Sequence, residues 1–282
     1  MNSFIPRIPL DGWIESGLAW LTGALSGVTR AISTFLGAGV RGMVDGLTWI
    51  PPGLLILIIA AGAWKVAGRK VGILSAVGLL FIWNVGLWGP TVSTISLVLI
   101  ATAIAVGFGL PIGIFGALND RAHGILRPIL DFMQTMPAFV YLIPAIPFFG
   151  LGAVSAIFST VIFSIPPVIR LTTLGIRQIN PELIEAADAF GSTTGQKLFK
   201  VQMPLAMPTI MAGVNQTIML ALSMVVIAAM IGAGGLGGEV WRAIQRLRPG
   251  QGFVAGIGVV IVAMILDRVT QKIGHVKKNI ND

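Results

Sequence analysis

Seven apolar stretches, separated by short polar or glycine-rich segments, occupy most of the chain from residue 52 onwards. A helix needs about 20 apolar residues to cross the hydrocarbon core of a bilayer. The stretches therefore predict transmembrane helices, of which the first two are the shortest. They lie at about residues 52–68, 71–88, 91–118, 126–149, 152–175, 205–231 and 252–267. We predict an all-α polytopic membrane protein, with about seven spans in a transmembrane domain over residues 51–282.

The segment before these stretches has a different pattern. Across residues 13–47, apolar positions recur mostly every three or four residues, as on one face of an amphipathic helix. Arg30, Arg41 and Asp45 interrupt the apolar positions. We predict that residues 1–50 form an N-terminal interfacial segment, with one or two amphipathic helices lying at the outer membrane surface. An eighth, imperfect span is the alternative.

Composition supports a membrane protein. The chain is 55% hydrophobic and 11% charged, with a mean hydropathy of +0.89, whereas soluble domains carry about 25% charged residues. The chain contains no cysteine, which excludes disulfides, thiolate metal sites and cysteine nucleophiles. Its net charge of +8 comes without a basic run interleaved with aromatic residues, so we expect no nucleic-acid partner.

The distribution of basic residues predicts the orientation. If the N-terminus is outside, thirteen of the 19 Lys and Arg residues fall on the cytoplasmic side. Cytoplasmic loops of membrane proteins carry the excess of Lys and Arg, so we predict that the N-terminus is outside and the C-terminus cytoplasmic. The six residues left outside are Arg7, Arg30, Arg41, Arg242, Arg246 and Arg248. The last three form a cluster that departs from the rule.

Prolines concentrate in the fourth and fifth predicted spans: Pro137, Pro144, Pro147, Pro166 and Pro167. Each proline removes a backbone donor and strains the preceding turn. In membranes, broken helices are tolerated where they are buried in protein or line a cavity. The prolines favour kinked helices beside a translocation path, and ordinary transmembrane proline is the alternative.

Motifs for catalysis are absent from the sequence. No Gly-Lys dipeptide occurs, so there is no Walker A loop. His123 and His275 lie in separate predicted loops without a partner at metal-ligand spacing. No acidic residue lies deep in a predicted span, which argues against a proton- or sodium-coupled carrier. We expect a non-enzymatic chain with no cofactor or metal of its own.

A polar island at about residues 176–204 interrupts the apolar chain on the predicted cytoplasmic side. Asn180 and Pro181 are typical of a helix start, and Gly191 suits the left-handed residue that ends it. The apolar residues Leu183, Ile184, Ala187 and Phe190 share one face. Such a segment either lies flat on the membrane or fits a groove in a partner protein.

The second half of the island predicts another helix. Thr193 and Gln196 have the spacing of a capping box, and Leu198, Phe199 and Val201 give the helix an apolar side. We expect this helix to end just before Pro204, so that the island is a helix–turn–helix.

The island resembles the EAA loop of ABC importer permeases. That pattern is Glu-Ala-Ala, three residues, Gly, nine residues and Ile-x-Leu-Pro. The matching residues are Glu185, Ala186, Ala187, Gly191 and Pro204. Val201 and Met203 replace Ile and Leu and keep the apolar character. The resemblance implies that these residues, with Phe190, couple the chain to a cytoplasmic ATPase subunit.

Three further stretches, at residues 130–150, 166–178 and 215–237, are similar to permeases of the glycine betaine/proline betaine class, as in OpuA-type osmoprotectant uptake. The resemblance implies a type I ABC importer permease fold working by alternating access in the bacterial inner membrane. The implied partners are a second permease copy, a cytoplasmic ATPase dimer that holds ATP and Mg, an external substrate-binding protein and membrane lipid. A permease for choline, carnitine or another small solute is the alternative, and a stand-alone secondary carrier is another.

A quaternary ammonium solute would be attracted to aromatic faces along its path. The residues that could provide a weak site beside the prolines are Gln134, Met136, Pro137, Phe139 and Tyr141. The alternative is that they pack between helices.

Overall fold

The computed structural model describes residues 9–275, the last two as backbone only. Arg7, Lys277 and Lys278, which enter the orientation prediction, lie outside the described residues. All regular elements in the described part are helical. The helices are α1 (Leu10–Ala24), α2 (Ser26–Trp49), α3 (Pro52–Ala67), α4 (Arg69–Asn84), α5 (Trp88–Leu118), α6 (Asp120–Thr135), α7 (Leu142–Phe149), α8 (Ala153–Ser164), α9 (Pro166–Arg177), α10 (Pro181–Ala189), α11 (Thr194–Lys197), α12 (Met203–Ala228), α13 (Gly235–Gln245) and α14 (Pro249–His275).

The N-terminal region forms two helices, as its periodicity indicates. No residue of α1 is buried, and α2 buries only Val40 while it packs along α5, α7 and α8. The chain then bends by 101° into α3. Ile50 precedes two prolines and is extended, because a following proline disfavours the helical conformation. Together α2 and α3 are apolar and long enough for one broken span, so the surface and spanning interpretations of this region both stay predictions.

The first two predicted spans are the short helices α3 and α4. Each has 16 residues, which corresponds to about 24 Å of helix against a hydrocarbon core of about 30 Å. They turn back on one another at Gly68, whose φ is +90°. The two helices touch closely at Gly72, where an added Cβ would lie 2.7 Å from Cβ of Trp64. Neither helix alone meets the length of a span.

Four helical stretches of the described chain are long and apolar enough to cross a membrane. The number of candidate spans rises to six if each of two bent helix pairs is counted as one span. The four are Trp88–Leu118, Ala153–Arg177, Thr194–Ile231 and Pro249–Ile273. The predicted fourth span, 126–149, is one of the bent pairs: α6 and the helical segment after Pro137 meet at 108°. Pro166 and Pro167 instead open α9 without breaking the α8–α9 span, because the first turn of a helix does not need their N–H groups.

Small residues let the central helices approach closely. A Cβ added to Gly109 would lie 2.3 Å from Cγ1 of Val168, and one added to Gly113 would lie 2.8 Å from the carbonyl oxygen of Ile169. Glycine at these positions brings the backbones of α5 and α9 together, which is a common source of helix association in membranes. The core lies between α5, α8 and α12, around Leu97, Val98, Ile157, Leu222 and Val225.

A polar contact joins α12 to α14. The Asn215 Nδ2 donates to Oδ1 of Asp267 at 2.9 Å, and the Thr270 hydroxyl donates to Oδ1 of Asn215 at 2.6 Å. All three residues are half-buried. Asn215 therefore links two helices through both ends of its amide, as intramembrane amides often do.

Asn215→Leu is expected to lower the free energy of unfolding by about 1–3 kcal/mol, since it removes the hydrogen bond to the Asp267 carboxylate and the one from Thr270, which then keep only partners on α14. Thermal unfolding of the purified protein in detergent measures this. Ser223→Ala is the matched control, because the exposed Ser223 hydroxyl donates to the carbonyl of Met219 in its own helix and does not link two helices of the described chain. Equal unfolding temperatures for both variants would contradict the role of Asn215.

Candidate coupling site and translocation path

The first arm of the polar island is helix α10, and its caps are those that the sequence predicts. The Asn180 side chain accepts a hydrogen bond from the N–H of Glu182 at 3.0 Å, and Pro181 is the first helical residue. Gly191 has a φ of +73°. Its N–H donates to the carbonyl of Asp188, and the N–H of Ser192 donates to that of Ala187. A left-handed glycine thus closes the helix and sets the direction of the chain beyond it.

The second arm starts as predicted and ends differently. Thr193 and Gln196 form the reciprocal capping box at the start of α11. The sequence predicts that this helix ends just before Pro204, but the helical chain continues past it. A π-helical turn, Leu198–Gln202, joins it to α12, and Pro204 lies in the first turn of α12. A wider turn just before a proline accommodates the missing backbone N–H of that proline. The prediction that the helix ends here was therefore wrong.

Two sets of contacts hold the arms in place. Lys197 Nζ lies 2.7 and 2.8 Å from the two carboxylate oxygens of Asp188, so an ion pair joins the second arm to the first. Leu198 is buried with Ile176, Ala206 and Ile210, which anchors the second arm to α9 and α12. The island is therefore a braced part of the bundle.

The residues that the resemblance assigns to coupling lie mostly on an open surface. Glu185, Ala186, Gly191 and Pro204 are exposed and Ala187 is half-buried. Phe190 is 91% exposed, although it is a large apolar side chain. Neighbouring Leu183 and Phe199 are exposed too. An apolar surface of this kind on a braced helix is typical of a docking site. Coupling itself stays a prediction for these residues.

Two ion pairs that the sequence does not predict connect α9, which leads into the island, to α6 of the bent pair. Arg170 pairs with Asp131, and Arg177 pairs with Asp120 at 2.6 Å, both between α9 and α6. A cleft of about 380 Å³ lies between the same two helices. The arginines are seven residues apart on α9, which places them on one helical face. That spacing is the signal that could have indicated the contact.

The proposed path residues separate into two environments. Gln134 and Phe139 are exposed and Met136 is half-buried, close to the 108° bend where Pro137 stands. Tyr141 is only 5% exposed, and its hydroxyl donates to the carbonyl of Met133. Its ring meets Phe163 edge-on at 5.6 Å between centroids. Tyr141 therefore packs between helices, whereas Phe139 presents more than half of its surface, and a role of either residue in a translocation path stays a prediction.

Comparison with known proteins agrees with these features. The family model described as "Binding-protein-dependent transport system inner membrane component" matches residues 109–273. The glycine betaine transport system permease protein OpuAB of Bacillus subtilis (strain 168) is 51% identical over 275 residues, which covers 98% of each chain. The glycine betaine/proline betaine transport system permease protein ProW of Escherichia coli (strain K12) is 48% identical over 268 residues, covering 95% of this chain and 76% of ProW.

A solved structure has a similar fold. It is an inward-facing conformation of the MetNI methionine ABC transporter, with a TM-score of 0.62 and 20% identity, covering 71% of this chain and 97% of the compared chain. The described helices thus have the permease fold of ABC importers. Because the family model matches more than half of the chain and the match with OpuAB covers nearly all of both chains, this chain belongs to the binding-protein-dependent inner membrane components, the permeases of ABC importers.

Proposed function

We propose that this chain is the permease subunit of an ATP-driven importer that moves glycine betaine or proline betaine into the cell by alternating access. The observation that carries the proposal is the island at 180–204. It is a braced helix–turn–helix with an exposed apolar surface, and its residues match the EAA pattern. The substrate class is supported by the names of the relatives that are 48–51% identical.

In the proposed complex, two permease copies and surrounding lipid form the membrane part. Two cytoplasmic ATPase subunits hold ATP and Mg, and their closure moves α10. The ion pairs between α9 and α6 then carry the motion from the island to the bend at Pro137. An external binding protein selects the solute. We place the N-terminus outside, the C-terminus in the cytoplasm and the importer in the bacterial inner membrane.

The test is co-purification followed by uptake. The permease is isolated with its associated subunits and reconstituted with its binding protein in vesicles, and uptake of labelled glycine betaine, choline and carnitine is compared. We expect ATP-dependent uptake that requires the co-purified ATPase and favours glycine betaine. Uptake without any ATPase would support a stand-alone carrier. A preference for choline or carnitine would show that glycine betaine is not the main substrate.

Phe139→Ala is expected to reduce uptake of a quaternary ammonium solute by about two- to fivefold, since an exposed cation–π contact contributes about 0.5–1 kcal/mol. Initial uptake rates at several solute concentrations measure this. Phe108→Ala is the control, because Phe108 is another exposed phenylalanine, on α5. Tyr141→Ala should instead lower the unfolding temperature, because Tyr141 is buried. If Phe139→Ala keeps the wild-type rate and apparent affinity, Phe139 does not contact the solute.

A further inference from the structure

The turn between α13 and α14 holds an apolar side chain away from the protein. Leu247 is 88% exposed. Its backbone is nevertheless fixed: the Leu247 N–H donates to the carbonyl of Ile244 at 3.1 Å, and the Arg248 N–H donates to that of Ala243 at 2.9 Å. Pro249 then begins α14. The exposure of Leu247 is therefore set by an ordered turn.

Leu247 is also in an unfavourable backbone conformation. Its φ is +52°, and the other eight residues with positive φ in the described chain are all glycines. A branched L side chain in this region is strained, and glycine or asparagine is the usual choice at a helix end. Strained residues are concentrated at functional sites. A leucine at this position therefore indicates that its side chain makes a functional contact.

Two arginines that have no acidic partner among residues 9–273 flank this leucine. Arg246 and Arg248 are exposed, and neither takes part in the four ion pairs of the described residues. Arg242, one helical turn earlier, pairs with Glu239. Arg242 and Arg246 also line a cleft of about 520 Å³ beside the turn. The turn thus presents two positive charges around one apolar tip.

The turn lies at the opposite end of the molecule from the coupling island. Helix α12 leads away from the island for 26 residues, or about 39 Å, and the chain then enters α13. The N–H of Leu236 in α13 donates to the buried Thr94 hydroxyl of α5 at 2.8 Å. With the island in the cytoplasm, the arginines lie outside, against the usual distribution of basic residues. Their external position therefore indicates a specific role for these arginines.

We propose that the tip Arg246–Leu247–Arg248 is a docking site for the external binding protein, whose contacting surface carries carboxylates around a small apolar depression. The proposal rests on the proposed function, because it takes the island as cytoplasmic and the solute as delivered by a binding protein. Complementary charges speed and orient association, and a central apolar anchor with a polar rim is common in protein interfaces. The hydrogen bond from Leu236 to Thr94 ties the start of α13, the helix that leads to the tip, to α5.

The experiment titrates binding protein into the complete importer in nanodiscs and measures stimulation of ATP hydrolysis. For Arg246→Glu with Arg248→Glu, we expect the half-saturating concentration of binding protein to rise at least about tenfold, with more effect at low salt. The double lysine variant should stay close to the wild type. ATP hydrolysis without binding protein should not change. Equal half-saturating concentrations for all variants would overturn the proposal.

Leu247→Gly separates docking from folding. Glycine relieves the left-handed strain, so the unfolding temperature should stay equal or rise, while the half-saturating concentration of binding protein rises several-fold. A variant with wild-type docking would show that the leucine side chain is not the anchor. If the charge reversals change only binding to anionic lipid vesicles, the arginines contact lipid and the proposal is wrong. A wild-type importer that no binding protein stimulates would instead refute the proposed function.

The absence of cysteine allows a direct test of the side of the membrane. Leu247→Cys should react with a membrane-impermeant maleimide on intact cells. Thr194→Cys, on the exposed start of α11, should react only after permeabilisation. The reverse pattern would place the tip in the cytoplasm and overturn the docking proposal.

Discussion

Gly191→Val is expected to lower ATP-driven uptake at least about tenfold while the protein remains folded. Valine at a φ of +73° is strained, at a cost of about 1–3 kcal/mol, where about 1.4 kcal/mol corresponds to a tenfold change in an equilibrium. No atom of the described residues outside the adjoining ones lies within 4 Å of an added Cβ. The effect therefore comes from the backbone, which must turn differently and move α10 relative to α11. Uptake in reconstituted vesicles and association with the ATPase measure it.

Two controls isolate the cause. Gly191→Asn should retain most activity, because asparagine tolerates the left-handed conformation. Gly195→Val places the same side chain in the same loop, at a helical glycine that also has open space around it, and should have a smaller effect. Wild-type ATPase association and uptake for Gly191→Val would show that the island does not transmit motion through this turn.

Gly113→Ile is expected to prevent stable folding of most molecules. The new Cβ would lie 2.7 Å from Cβ of Thr172 and 2.8 Å from the carbonyl oxygen of Ile169. Backbone cannot rotate away as a flexible side chain can, so α9 must separate from α5. Overpacking of a well-packed core costs about 1–3 kcal/mol and occasionally more. We expect a loss of monodisperse protein in detergent and a lower unfolding temperature for the remainder.

Gly107→Ile is the control for this prediction. Gly107 lies on the same helix and is exposed, and in the part of the chain that the structure describes nothing lies within 4 Å of an added Cβ. The two variants share the change in helix propensity and in apolar surface, so their difference reports the contact with α9. Similar yields and unfolding temperatures for both would show that α5 and α9 can separate without harm.

Local signals in the sequence predicted the local structure of the island. The Asn180 cap, the left-handed Gly191 and the capping box of Thr193 and Gln196 each depend on a few neighbouring residues, and the structure contains all of them. The apolar stretches likewise predicted helices, because burial in lipid requires apolar length. The number of spans does not follow from the apolar stretches alone, because α3 and α4 are each too short to cross a membrane as a single helix.

The partners and angles of tertiary contacts do not follow from the sequence, even where a spacing such as that of Arg170 and Arg177 marks one helical face. Pro137 indicated a break, but the 108° angle depends on how the two helical segments pack. The π turn before Pro204 has no distinct periodicity, so the second arm seemed to end there. The ion pairs between α6 and α9 join residues 39 and 57 positions apart. Leu247 looked like an ordinary leucine, because only the folded turn reveals its backbone conformation.

The unbroken helical stretch Thr194–Ile231 has 38 residues, or about 55 Å of nearly continuous helix. One of its ends belongs to the coupling island, and the other lies beside the glycine-rich entry to α13. Partners that bind the island at one end and the tip beyond α13 at the other would act on elements joined by a single helical rod. Thermodynamic reciprocity then requires that, if ATPase closure changes the affinity for the external protein by some factor, the external protein changes the closure equilibrium by the same factor. Affinities measured on one side of the membrane would thereby report events on the other.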